Sequence, residues 1–280
     1  MQVENKVFVV TGAGNGIGRE VALALLGRGG RVAAVDLREE SLAELAGLAD
    51  PGERLTLHSL DLTDREAVAA LPEQVLSAHG HVDGLLNVAG IIQEFVPFAE
   101  LSYEQMERVM DVNLWGVVHT CTAFLPHLLG RPEACLVNVS SMGGFAPVPG
   151  QTMYGASKAA VKLLTEGLYA ELRETPVAVT IVFPGAIATE ITTNSGVRVP
   201  GGASPEEVAT ARGVDEEAAR SRHKVLPAPD AARMIVEDAV IKGSYRLTVG
   251  RDAAMLDRLS RLAPRRATDL IAKRMADLLG

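Results

Sequence analysis

The sequence predicts a single doubly wound α/β domain, a seven-stranded parallel sheet flanked by helices. Three observations carry that reading. Short runs rich in Val and Leu alternate with longer segments of helical period from the first residues onward. The first run passes through a glycine-rich turn straight into a helix, and the second closes on an acidic residue, Asp36. At 280 residues the chain is long enough for one large α/β domain or two modest ones, and no internal repeat or low-complexity linker divides it.

In chain order, the apolar runs place strands at Lys6 to Thr11, Arg31 to Asp36, Leu55 to Asp61, Gly84 to Ala89, Cys135 to Ser140, Ala178 to Phe183 and Tyr245 to Val249. Helices fit between them at Gly16 to Arg28, where Val21, Leu25 and Leu26 can face the sheet, then Glu39 to Leu48, Arg65 to Ala78, Tyr103 to Leu129, Met153 to Arg173 and Pro229 to Ile241. Glu190 to Pro229 breaks the rhythm with Gly196, Pro200, Gly201, Gly202 and Pro205. Within it Ser204, Pro205 and Glu207 form a helix start with a capping box, so the stretch is expected to be a short helical lid; a surface excursion without a role is the alternative.

Composition narrows the function. The chain carries 27 Lys plus Arg against 35 Asp plus Glu, net −8. Duplex binding neutralises phosphates with clustered cations, so no nucleic-acid partner is expected. Cys121 and Cys135 fit neither a C-x-x-C pattern nor a disulfide framework, which points to a reducing, cytoplasmic setting. Met1 to Lys6 is too short and polar for a signal peptide, and no apolar run approaches the roughly 20 residues that span a bilayer.

The turn Thr11-Gly12-Ala13-Gly14-Asn15-Gly16-Ile17-Gly18 reads as a phosphate cradle: glycines let backbone N–H groups approach an anion, and the following helix dipole favours it. Its spacing departs from G-x-G-x-x-G, because the last glycine slot holds Ile17 counted from Gly12 and Arg19 counted from Gly14. A tight strand-to-helix connection is the plainer alternative. Asp36 lies 18 positions after Gly18, where an acid accepts hydrogen bonds from adenine-ribose hydroxyls and repels a 2′-phosphate. That favours NAD over NADP, although Arg38 partly offsets the repulsion and Asp36 can instead cap a turn before Glu39 and Glu40. Tyr154 and Lys158 stand four residues apart on one helix face. An ammonium there, aided by a positively charged nicotinamide, is expected to draw the phenol from ~10 toward ~7 and make it a usable base.

Taken together, these segments resemble the short-chain dehydrogenases/reductases, whose fold is Rossmann-like. Thr11 to Gly18 resembles the family's T-G-x-x-x-G-x-G, and Asn87-Val88-Ala89-Gly90 its N-N-A-G, with Val88 departing at the second position. Asp61-Leu62 is similar to its adenine-contacting acid, Asn113 within Met110 to Asn113 to its helix-borne Asn, and Pro184-Gly185-Ala186-Ile187-Ala188-Thr189 to the P-G-x-x-x-T turn that holds the nicotinamide carboxamide. Of Ser140 and Ser141, the latter stands thirteen positions before Tyr154 and matches the family's serine. The resemblance covers about Lys6 to Thr189. It implies that Tyr154 is the acid/base, Ser141 orients the substrate oxygen, Lys158 binds the nicotinamide ribose and lowers the Tyr154 pKa, and Asn113 holds a proton-relay water. Gly12, Asn15, Gly16, Ile17, Gly18, Asp36, Asp61, Leu62, Asn87, Ala89, Gly90, Pro184, Gly185, Ile187 and Thr189 would line the cofactor with Tyr154 and Lys158. No metal is implied, and His119 and His127 are expected to be surface or packing residues.

The expected activity is NAD-dependent interconversion of a secondary alcohol and its ketone, on a mainly apolar substrate framed by Ile92, Met142, Phe145, Val148 and the Ile191 to Val199 entry to the lid. A non-catalytic NAD-binding sensor or interaction protein is the alternative. The helix from Met153 to Arg173 is apolar or small nearly all round and wants two partners, the sheet and the equivalent helix of a second copy, giving a homodimer or homotetramer. Beyond residue 250 the chain is net +3 against −11 for the rest. Its apolar stripes, Leu256, Leu259 and Ala263, then Leu270, Ile271, Met275 and Leu278, break at Pro264. This extension packs on a partner subunit or over the pocket, lies on an acidic membrane surface, or frays.

Overall fold

The computed structural model describes residues 1–49, 52–197 and 225–274. Seven parallel strands form one sheet: β1 (Val7–Thr11), β2 (Arg31–Asp36), β3 (Leu55–Ser59), β4 (Gly84–Asn87), β5 (Ala134–Val139), β6 (Val177–Pro184) and, after a two-stranded pair, β9 (Arg246–Val249), in the order β3-β2-β1-β4-β5-β6-β9. Apart from the edge strand β3, where Leu57 is exposed, their Val, Ile and Leu side chains are buried on both faces, as a sheet covered by crossover helices requires. One apolar layer lies against α1 (Gly16–Leu26), α2 (Glu39–Ala49) and a later helix, α8 (Ala228–Met234). The other lies against α3 (Arg65–His79), α5 (Gly116–Leu129) and α6 (Thr152–Leu172).

The expected helix from Tyr103 to Leu129 is in fact two, α4 (Tyr103–Met110) and α5, joined by a π-helical turn at Asp111–Trp115. A π-turn carries one extra residue and rotates the downstream helix without disturbing the apolar pattern, so periodicity does not reveal it. The expected helix from Pro229 to Ile241 likewise starts as α8 and continues as a π-helical segment, Ile235–Ile241. Two short strands were not foreseen: β7 (Ile187–Ala188) pairs in parallel with β8 (Leu226–Pro227). The chain just before α7 (Ile191–Ser195) and the chain just before α8 therefore run side by side. The helix start at Ser204, Pro205 and Glu207 lies outside the described residues.

After β9 the chain forms α9 (Arg251–Leu262) and, with Pro264 at its first position, α10 (Pro264–Arg274). Their buried residues are Ala253, Leu256, Ala267 and Ile271, and Leu256 and Ile271 cluster with Ala146 of the same chain. Met275 and Leu278 lie outside the described residues. No described helix is long and apolar enough to cross a membrane.

Candidate active site

Parallel strands present all their carboxyl ends along one edge, and ligands of such sheets bind where strand order reverses. Here that point lies between β1 and β4, and Thr11, Asp36, Asn87, Val139 and Pro184 all end strands on that edge. A cavity of about 280 Å³ beside Met1, Glu133 and Gly243 opens at the opposite end of the strands, away from every motif.

The glycine turn is tied to its neighbours. Asp36 Oδ2 accepts the N–H of Gly14 at 2.9 Å, and Oδ1 accepts that of Arg38 at 3.1 Å, so Asp36 both braces the turn and puts its charge at the end of β2. Gly12, at φ +67°, lies so close to β4's exit that an added Cβ would stand 2.8 Å from Ala89 Cα. Asn15 donates through Nδ2 to Glu190 Oε2 at 2.8 Å, and Gly16 faces Thr189, linking the turn to the chain after β6. Helix α1 has no acidic residue in its first turn, leaving its positive end open to an anion. Asp61 accepts the N–H and hydroxyl of Thr63, while Leu62 lies against Gly116.

One expected cofactor residue is used differently. The Asn87 carboxamide turns into the sheet, where Oδ1 accepts from Thr120 Oγ1 at 2.8 Å and Nδ2 donates to Asn138 Oδ1 at 2.9 Å. Asn138 donates in turn to Thr165. A buried amide costs stability unless satisfied, so this chain of polar groups fixes β4 against β5 and the helices covering them. What holds the Asn87–Gly90 segment at the edge is the threonine that opens the glycine turn: Thr11 Oγ1 accepts the N–H groups of Val88 and Ala89 at 3.1 and 3.3 Å.

A phenol and a hydroxyl flank one glycine, and an ammonium and a carboxamide flank another. A Cβ on Gly143 would stand 3.4 Å from the Tyr154 ring and 3.5 Å from Ser141 Oγ, so both flank one small residue. On Gly90 it would stand 2.9 Å from Lys158 Nζ and 3.2 Å from Asn113 Oδ1. Lys158 is almost wholly buried and donates one hydrogen bond, to Val139 O at 3.1 Å, and an ammonium has two more donors to offer. Ser140 is spent on Lys158 O at 2.7 Å, which leaves Ser141 as the serine beside the phenol. Burial pulls the Lys158 ammonium down to about 8. Burial also pushes the Tyr154 phenol above its ordinary value, opposed by a hydrogen bond with Ser141. The expected lowering is therefore absent from the protein alone: desolvation of the phenol outweighs its neighbours.

Asn113 occupies the π-turn with its carboxamide bonded through both its oxygen and its nitrogen. Oδ1 accepts from Ile91 N at 2.8 Å, and Nδ2 donates to Ile91 O and Ser157 Oγ. Both amide hydrogens are taken, so the side chain locks the loop after β4 to α6 and has no donor left for a relay water. Ser157 passes the link on to Tyr154 O at 2.7 Å.

Two further residues reach the site with no local sequence signal. Helix α6 lacks a side-chain cap of its own; buried Gln93 supplies one, its Oε1 accepting from Met153 N at 2.8 Å and Tyr154 N at 3.0 Å. Gln93 Nε2 donates to Gly150 O, and Gln151 Nε2 donates to Gln93 O, so the amides interlock. Asp252, on α9, accepts from Ala186 N at 2.7 Å; an acid in a helix's first turn was its only trace. On the substrate side Met142, Phe145 and Val148 pack around Ala146, Leu256 and Ile271, and Ile92 borders a cavity of about 100 Å³ together with Ser195 and Val197.

Residues 6–198 match the family model described as short chain dehydrogenase. The chain belongs to the short-chain dehydrogenases/reductases. It is 36% identical over 265 residues to the putative oxidoreductase SadH of Mycobacterium tuberculosis, covering 92% of this chain and 91% of that protein. It is 37% identical over 258 residues to the probable oxidoreductase EphD of Mycobacterium bovis, of which it spans 43%. Among solved structures, a short-chain dehydrogenase/reductase from Burkholderia phymatum in complex with NAD superposes with a TM-score of 0.81 at 28% identity, covering 96% of this chain and 97% of that one. One from Burkholderia cenocepacia in complex with NADP gives 0.76 at 26%, covering 98% and 99%. This member of the family is thus an oxidoreductase with the Rossmann-like sheet at full length.

Proposed function

We propose that the protein is a nicotinamide-dependent oxidoreductase that interconverts a secondary alcohol and its ketone, with Tyr154 as the acid/base and NAD preferred over NADP. The convergence of Ser141 and Tyr154 around Gly143, with buried Lys158 one helical turn after Tyr154 on α6, carries this reading. The residues fit the cofactor: the first turn of α1, with no side-chain cap, would offer its N–H groups to a pyrophosphate, Asp36 at the end of β2 would accept from the adenine ribose, Lys158 has donors that would serve the nicotinamide ribose, and the turn Pro184–Thr189 would hold the carboxamide. When bound, the nicotinamide supplies the hydride exchange. The chain's own groups manage the proton. Tyr154 gives its phenolic hydrogen to the carbonyl oxygen in reduction and takes the alcohol hydrogen in oxidation, Ser141 fixes that oxygen, and the Lys158 charge favours the phenolate. Asp36 brings a negative charge to the place a 2′-phosphate would occupy, which is the ground for NAD. Met142 and Val148, half-buried in the segment between Ser141 and Tyr154, favour a mainly hydrophobic substrate.

The test is a panel of secondary alcohols and ketones with NAD(H) and NADP(H), followed by absorbance of the reduced nicotinamide, on the native protein and Tyr154→Phe. Turnover with NAD above NADP is expected. The variant should keep cofactor affinity and lose about 10²–10⁴-fold in kcat. A variant as active as the parent removes Tyr154 from its role, and equal use of both cofactors removes the ground for NAD.

A further inference from the structure

The extension after β9 reaches the site through one carboxylate. Asp252 stands in the first turn of α9, where the helix dipole favours a negative charge. Its Oδ2 accepts the N–H of Ala186 at 2.7 Å. Its Oδ1 fills the place of two missing side chains: an added Cβ would stand 2.2 Å away on Gly185, and 2.5 Å away on Gly250, which is at φ +103°. An alanine at either position would displace the carboxylate. The same turn is fastened from the other side, because Gly185 N donates to Val249 O at 2.8 Å. Behind Asp252, α9 is anchored by the pair of Asp257 with Arg246, whose guanidinium lies 4.1 Å from the centre of the Phe183 ring, and by Leu256 against Ala146.

We propose that Asp252 is a positioning residue for the nicotinamide end of the cofactor site. It holds the Gly185–Ala186 peptide so that the turn Pro184–Thr189 is set for the carboxamide before the cofactor arrives, which removes an ordering cost from binding. The proposal rests on the nicotinamide-dependent reading above. It makes α9 and α10 part of the catalytic unit, since they carry into the site a residue that the strand-and-loop motifs do not supply.

Calorimetry on the native protein, Asp252→Asn and Asp252→Ala, with NAD and with ADP-ribose, separates the nicotinamide end from the rest. ADP-ribose shares the adenosine, pyrophosphate and second ribose and lacks only the ring. Where the native protein binds NADP instead, NADP and 2′-phospho-ADP-ribose are the pair. Asp252→Ala should bind the dinucleotide about tenfold more weakly, with KM raised in parallel, and ADP-ribose within about twofold of native. Asp252→Asn keeps an oxygen for Ala186 N–H and should recover most of the loss. ADP-ribose binding itself certifies that the variants fold. An equal loss for both ligands, or for neither, overturns the proposal. A native protein that binds no nicotinamide dinucleotide overturns the cofactor reading beneath it, and that result is seen before any variant is compared.

Discussion

Lys158 is held in a state its own stability does not favour. An ammonium in an apolar interior with one hydrogen bond is undersolvated, and burial draws its pKa from 10.5 to about 8. The unfolded chain keeps this proton up to about 10.5, whereas the folded one releases it near 8. The folded state is therefore penalised below pH 8, and the penalty fades as pH rises from 8 to 10.5, so the Lys158 contribution to stability increases with pH across that window. Lys158→Met, of similar length and uncharged, should melt above the native protein at pH 7, lose that advantage between pH 8 and 10.5, and lose turnover. Thermal melts across the window check it; a variant that melts lower throughout would make Lys158 a net structural asset. The two thiols are the opposite case. Burial pushes Cys121 and Cys135 up to about 12, so neither is a nucleophile near neutrality.

The elements are joined by polar side chains at their ends. Helix α6 begins at Thr152 with no cap of its own, and its orphan N–H groups at Met153 and Tyr154 are met by Gln93 from the loop after β4. Gln93→Leu preserves volume and leaves both donors unpaired. It should cost about 1–3 kcal/mol in chemical denaturation and lower kcat, because the start of the helix carries Tyr154. If the variant melts like the parent, the cap is not stabilising. The π-turn at Asp111–Trp115 works in the same way, turning the Asn113 carboxamide onto Ile91 and Ser157. The sequence marked Asn113 but not its partners, since Ile91 and Ser157 are 22 and 44 positions away.

Across the whole molecule, one copy leaves apolar side chains in water on the helices that carry the site. Leu163 on α6 is 68% exposed, Trp115 in the π-turn 50% and Tyr103 on α4 77%. Exposed apolar surface on neighbouring helices is what a symmetric interface covers, and a twofold assembly would repeat the contact. The protein is expected to run as a dimer or tetramer in light scattering, and Leu163→Arg to lower that state by burying a charge where apolar contact is needed. A native monomer, or a variant of unchanged assembly, would show that α6 faces solvent. The C-terminal helices engage Leu256 and Ile271 within the chain, against Ala146, and leave Leu262 exposed.

By itself the sequence determined the seven parallel strands, the glycine turn, Asp36 closing β2 and the break at Pro264. Each arises from periodicity or backbone freedom within a few residues. Tertiary structure decided the use of the polar side chains: Asn87 satisfied inside the sheet, Gln93 capping α6, Asp252 reaching from the start of α9 to Ala186, and a Tyr154 phenol raised rather than lowered. A buried polar group takes its partner from whatever the fold places beside it, and its ionisation depends on the water it loses there. Neither quantity is written in the residues adjacent along the chain.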